Sequence, residues 1–242
     1  MTHIKLIRFA CLVIILQACT SAQINQTLGD INKTLGSDAP LSTAEVSEGL
    51  KEALVKGISL GADLASQTDG FLQNPLIKIP FPPEVQKVED KLRQIGLGKE
   101  VDKFVTTLNR GAEDAAKEAK PIFITAIRSM TIQDAWGILN GGADAATQYL
   151  KRTTSAQLKE KFKPAIQNSL SKVNATRYYG DIVKVYNNLP LTQDVNPNLD
   201  DYATDRAIEG LFLMIAREEK NIREDPFART TELLKKVFGA QN

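Results

Sequence analysis

The chain has 242 residues, 24% of them charged and 43% hydrophobic, the balance of a folded domain long enough to bury a core. Its formal net charge is +1, so no global field draws nucleic acid. The single histidine, His3, and the two cysteines, Cys11 and Cys19, all sit at the N-terminus; beyond Cys19 the residue types exclude Ser-His-Asp triads, Cys-His dyads, His or Cys zinc sites and an internal disulfide.

Residues 1–18 read as a targeting leader. Lys5 and Arg8 form a basic n-region, and FACLVIIL at 9–16 forms an apolar h-region. Eight residues rise only about 12 Å as a helix, too little for a bilayer core of about 30 Å. Leu16-Gln17-Ala18-Cys19 resembles a bacterial lipoprotein box, in which the Cys is lipidated on sulfur and becomes the new N-terminus. Several acyl chains on one residue hold a protein firmly, since each buried CH₂ contributes about 0.8 kcal/mol. Thr20, rather than Asp, follows the cysteine. By resemblance to lipoprotein sorting in diderm bacteria, this implies the periplasmic face of the outer membrane. Residues 19–41 are rich in Ser, Thr, Asn, Gln and Gly. They read as a flexible tether with a reach of about 25 Å.

A helical domain is expected from 42 to 242. Ser42 with Glu45 forms a capping box, and Val46, Leu50, Leu54 and Ile58 follow at helical spacing. Ala53, Gly57 and Gly61 predict a second helix crossing closely. Asp69-Gly70 ends this helix. The run NPLIKIPFPP at 74–83 carries four prolines, which forbid a helix. Its Leu76, Ile77, Ile79 and Phe81 are expected to lie across the bundle as a strap. Pro83 suits a first helical position, and Val85, Val88, Leu92 and Ile95 make the next apolar stripe, closed by Gly96-Leu97-Gly98. A helix with Val101, Phe104, Val105, Leu108 and Ala112 inside is ended or bent by Pro121, and a short apolar helix follows at 122–127.

The stretch 129–164 organises the chain. It carries the only Trp and the only Gly-Gly pair. Its spacing predicts three helix segments joined by two tight turns: Thr131 with Asp134 starts the first, Asn140-Gly141-Gly142 stops it, a second runs over 143–152, and Thr154 with Gln157 caps a third that Pro164 kinks. Further helices are expected at 177–188, with Tyr178, Tyr179 and Tyr186, at 200–223, and after Asp225-Pro226, with Leu233, Leu234, Val237 and Phe238 inside. No long alternating strand pattern and no fixed-period repeat is found. The expected architecture is all-α, a single irregular bundle of about eight or nine helices.

Two runs, NPLIKIPFPPEVQKVEDKLRQIGLGKEVDKF and AKPIFITAIRSMTIQDAWGILNGGADAATQYLKRTTSAQLKEKFKP, together with ATRYY at 175–179 and ARTTELLKKVFG near the C-terminus, resemble the uncharacterised bacterial domain-of-unknown-function family 4197. The resemblance covers roughly residues 42–239. It implies a helical envelope domain, often behind a secretory or lipoprotein leader, and carries over no catalytic residue.

The best polar constellation is Asp144, Gln148 and Arg152, spaced i, i+4, i+8 on one helix face, with Asn140 and the backbone of Gly141 and Gly142 at that helix's start. A glycine-lined helix N-terminus can accept an anionic group. The same residues also serve a plain corner, with Asp144 complementing the helix dipole and Gly-Gly permitting a tight turn. Carboxylate chemistry would have to come from Asp134 with Asp144, or from Asp200, Asp201 and Asp205. The latter three also suit Ca²⁺ in type but lack an EF-hand loop. Trp136 reads as core, and the run 217–224 as a solvated charged face. No cofactor and no bound metal is expected. The reading that fits best is a membrane-anchored binding or scaffolding module for an apolar ligand or an envelope protein. The alternative is a carboxylate-dependent hydrolase or lyase acting on envelope glycan or lipid.

Overall fold

The computed structural model describes residues 42–172, 174–188 and 198–224. The leader, Cys19, the tether and the helix expected after Pro226 lie outside the described residues. Helix α1 is Thr43–Ser66 and opens with the expected capping box: the Ser42 hydroxyl accepts from the Glu45 amide, and the Glu45 carboxylate accepts from the Ser42 amide at 2.7 Å. A 3₁₀ turn, Pro83–Val85, leads into α2, Gln86–Gln94. Then follow α3, Gly98–Ala116, α4, Ala119–Arg128, and α5, Ile132–Leu139. Helices α6, Ala145–Ser171, α7, Ala175–Asn187, and α8, Leu199–Glu224, complete the series. No strand occurs among the described residues, as the all-α reading requires.

The principal packed pairs are α3 with α6, α6 with α8, and α1 with α8. Leu50, Phe71, Leu108, Phe123, Leu150 and Phe162 are completely buried between them. The small residues of α1 do admit a close crossing helix, and it is α8: a Cβ at Gly61 would stand 3.5 Å from the Met214 carbonyl oxygen and 3.6 Å from the Ile215 Cα. The edge-on ring pair Phe123–Phe212, 5.8 Å between centroids, ties α4 to α8.

Three expectations are corrected. The two segments expected at 143–152 and 154–173 are one helix, α6, and the Thr154–Gln157 capping box is not formed. The hydroxyls of Thr153, Thr154 and Ser155 donate instead to the carbonyls of Tyr149, Leu150 and Lys151, four residues back. This back-bonding lets a Thr-Thr-Ser run stay helical, and it leaves Thr154 buried inside the helix rather than ahead of one. The break between α3 and α4 falls at Lys117 and Glu118, not at Pro121, which lies in the first turn of α4, where its missing N–H costs no helical bond. The stripe of α2 is shallow: Val85 is buried, Val88 and Leu92 are half-buried, and Ile95 is 60% exposed.

The strap is real. Ile77, Ile79 and Phe81 are buried under or against the bundle, whereas Leu76 is 56% exposed. A Pro-rich segment cannot satisfy its backbone in a ladder: Ile77 and Lys78 donate to the Asn74 carbonyl of their own turn, and Ile79 turns to a side chain. Asn109, fully buried on α3, accepts from the Ile79 amide at 2.8 Å and donates to the Ile79 carbonyl at 2.8 Å. One turn on, Glu113 accepts from the amides of Phe71 and Leu72, both at 3.1 Å, and is held by Arg110, which also reaches Asp69.

Candidate functional site

The organising stretch turns its corner as the glycines predict. The Thr131 hydroxyl accepts from the Asp134 amide, and the Asp134 carboxylate accepts from both the hydroxyl and the amide of Thr131. Those two bonds, the hydroxyl's first, hold the Asp134 carboxyl below its ordinary value; the Arg152 charge adds to the effect, while partial burial opposes it. Asn140 closes α5 by donating its side-chain amide to the Trp136 carbonyl. A Cβ at Gly141 would meet the Gly137 carbonyl oxygen at 2.7 Å and the Ala145 Cβ at 2.6 Å, so only glycine fits the corner.

The six residues of the polar constellation all lie exposed along this edge. The structure joins two of them: Gln148 donates to Asp144 at 2.9 Å. The guanidinium of Arg152 lies 5.6 Å from the Tyr149 ring centroid, within cation–π range. Asp144 does not cap α6 through its side chain. The first four amides of α6 all have internal acceptors. Ala145 and Gln148 bond the carbonyls of Gly142 and Asp144, while Ala146 and Thr147 bond the carboxylate of Glu219 on α8 at 2.9 and 2.8 Å. The Thr147 hydroxyl adds a third bond to Glu219. Arg223 pairs with the same carboxylate and donates to the Ile138 carbonyl at the end of α5. The anion-accepting end of α6 is therefore filled by a carboxylate of the chain itself.

The aspartates do not face one another in a cleft. Asp134 caps α5 and Asp144 holds Gln148. On α8, Asp205 pairs with Lys159, Asp201 with Lys163, and Asp200 accepts from Gln167 and Thr176. These three are rungs of a ladder that fastens α8 to α6 and to the start of α7. Among the described residues no group of three or more His, Cys, Asp or Glu could hold a metal ion. Burial pushes the phenols of Tyr179 and Tyr202 up to about 12, so both are neutral hydrogen-bonding groups near pH 7. The Tyr202 hydroxyl donates to the Pro80 carbonyl of the strap. The side chains of Tyr178 and Tyr186 lie outside the described residues. Trp136 is 2% exposed, core as expected. Its indole N–H and the Ser47 hydroxyl are buried with no hydrogen-bond partner among the described residues.

A concave surface of mixed polar and apolar lining lies elsewhere. The strap and α8 flank an open groove of about 320 Å³ lined by Leu76, Ile77, Lys78, Arg206, Glu209, Gly210 and Leu213. Leu213 is 49% exposed. Arg206 and Glu209 pair with each other at 2.9 Å on the rim. Gly210 brings the walls together: a Cβ there would meet Phe71 at 2.9 Å and Ile77 at 3.0 Å. Sequence reasoning foresaw the strap but not Asn109, Glu113 or Glu219. A signal was present. Each is a polar residue set into the buried stripe of its helix, Asn109 and Glu113 beside Leu108 and Ala112, and Glu219 four residues after Ile215.

Fold and polar groups together define a helical-bundle domain whose buried charges serve its own backbone. The chain belongs to the family described as protein of unknown function (DUF4197), whose model matches residues 40–239. No curated protein and no solved structure matches it. No helix among the described residues is long and apolar enough to cross a membrane.

Proposed function

We propose that the protein is a lipid-anchored binding module of the bacterial cell envelope. Cys19 carries the lipid, residues 19–41 form the tether, and the domain stands on the periplasmic face of the outer membrane. The leader and the Leu-Gln-Ala-Cys box support the anchor. The observation that carries the binding reading is the groove between strap and α8. It combines exposed Leu76 and Leu213 with a charged rim, at the small end of the range of ligand pockets, about 300–1,000 Å³. Its volume suits a small ligand, with the two leucines offering apolar contact and Lys78, Arg206 and Glu209 meeting any polar end. The alternative of a hydrolase or lyase is not favoured, because the five aspartates it would need are each engaged in a cap, an ion pair or a side-chain hydrogen bond and do not converge on one cleft.

Native mass spectrometry of the full chain, purified from membranes, tests both parts. Lipidation predicts an acyl mass on the cleaved chain that Cys19→Ser abolishes. The groove predicts a further mass that organic extraction removes and that Leu213→Glu prevents from binding. A bare lipidated chain in the wild type would overturn the ligand and shift the reading to a protein partner.

A further inference from the structure

Asn140-Gly141 is the one Asn-Gly pair in the chain, and it stands exposed at the corner between α5 and α6. A glycine after asparagine leaves the next backbone nitrogen unshielded, because no Cβ stands beside it. Such a nitrogen can attack the asparagine side-chain carbon and expel its amide. Here the fold holds the two groups apart. The peptide is planar, so the Gly141 nitrogen reaches that carbon only by a large rotation of the Asn140 ψ, which is 0° in the closed corner. Both reacting groups are also tied. The Asn140 side-chain amide donates to the Trp136 carbonyl at 3.1 Å, and the Gly141 N–H donates to the Ile138 carbonyl at 3.2 Å. The same Ile138 carbonyl accepts from Arg223 at 2.9 Å, and Arg223 is paired with Glu219. The corner is therefore fastened from α8.

We propose that Asn140 is a modification site, a deamidation centre kept closed by the Glu219–Arg223 lock and opened when α8 loosens from the α5–α6 corner. In the reaction the Gly141 nitrogen forms a bond to Asn140 Cγ, the Cγ–Nδ2 bond breaks, and the Gly141 proton leaves with the amide as ammonia. Water then opens the five-membered imide at either carbonyl, leaving aspartate or isoaspartate. No other reactant is needed. Opening of the last turn of α5 suffices, and helix ends open at far lower cost than the core. The product does not fit back into the corner. Isoaspartate carries the chain through its side chain and adds a backbone carbon where there is no slack: a Cβ at Gly141 would already stand 2.7 Å from the Gly137 carbonyl oxygen and 2.6 Å from the Ala145 Cβ. Either product also sets a carboxylate at the C-terminal end of α5, where the helix dipole opposes it. The change is one-way and records that the lock has been open.

The full chain, incubated folded and in urea, tests this: the peptide containing Asn140 is read by mass spectrometry for acid in place of amide, and enzymatic methylation reports isoaspartate. The unfolded chain should convert at least about tenfold faster than the folded one, the protection expected of a closed turn. Folded Arg223→Ala should convert severalfold faster than wild type, with hydrogen exchange at the Gly141 amide rising by a similar factor. Lys159→Ala, which removes an α6–α8 ion pair away from the corner, should convert at the wild-type rate. Equal rates in folded and unfolded wild type overturn the protection. A folded Arg223→Ala that converts no faster than wild type overturns the lock, as does a rise in Lys159→Ala of the same size. If Arg223→Ala loses its helical circular dichroism, Glu219→Gln makes the same comparison, because it keeps an acceptor for the α6 amides while weakening the hold on Arg223. A faster rate there upholds the lock, and an unchanged rate overturns it.

Discussion

Helix α6 begins at Ala145, soon after α5 ends at Leu139, and the two are capped in opposite ways. At α5 the partners are neighbours in sequence: Thr131 and Asp134 exchange bonds across three residues. At α6 the adjacent Asp144 turns to Gln148, and the amides of Ala146 and Thr147 go to Glu219, 73 and 72 residues away. The turn leading into the strap repeats the second solution, with Glu113 accepting the amides of Phe71 and Leu72, 42 and 41 residues away, and an arginine beside it. A local cap stabilises one helix. A distant cap stabilises a helix and at the same time fixes where another helix must lie. Here α8 is locked against the start of α6, and α3 against the strap.

Breaking the distant cap at α6 should have the largest effect. Glu219→Leu leaves Arg223 nearly buried without its carboxylate and two amides without acceptors, a loss of about 3–5 kcal/mol in urea denaturation. Glu219→Gln, which keeps an acceptor, should lose less. A loss under about 1 kcal/mol for the leucine variant would remove the distinction between the two kinds of cap. Next comes the strap. Asn109→Ala orphans the buried Ile79 amide and should cost about 2–3 kcal/mol. It should also speed hydrogen exchange at Ile79 while leaving the α6 amides of Ala146 and Thr147 unchanged. Exchange that rises equally at both places would show that the two locks are one cooperative unit.

The local cap should be cheaper to lose. Thr131→Ala is expected to cost about 1 kcal/mol. It also has a pH signature. Because the folded Asp134 carboxyl is held below its unfolded value of about 3.9, its contribution is present above about pH 4 and disappears as pH falls through the lowered folded value. Asp134→Asn should therefore flatten the acid limb of the stability profile, and a profile identical to wild type would contradict the cap's electrostatic part. The smallest effect belongs to the exposed ladder. Lys159→Ala, whose pair with Asp205 is half-exposed on both sides, should change stability by less than about 0.5 kcal/mol.

Local chemistry determined a good part of this protein. The Ser42–Glu45 and Thr131–Asp134 boxes, the proline-enforced strap, the glycine corner at Gly141 and the close crossing at Gly61 are each readable from residues a few positions apart, because turn geometry and helix periodicity act over that range. The all-α class follows from the same periodicity. The run 217–224 shows the limit. It reads as a solvated charged face, yet Glu219 and Arg223 are turned inward, and nothing within eight residues names the amides they satisfy. The continuity of α6 through Thr153, Thr154 and Ser155 was hidden similarly: a hydroxyl that caps a new helix and one that back-bonds within an old helix look alike in sequence, and burial of Thr154 selects between them. The polar constellation at residues 140–152 was legible as a list of residue types at helical spacing. Whether its helix offered free donors was decided only when α8 folded across it, since a backbone amide carries no mark in the sequence of which distant carboxylate it will meet.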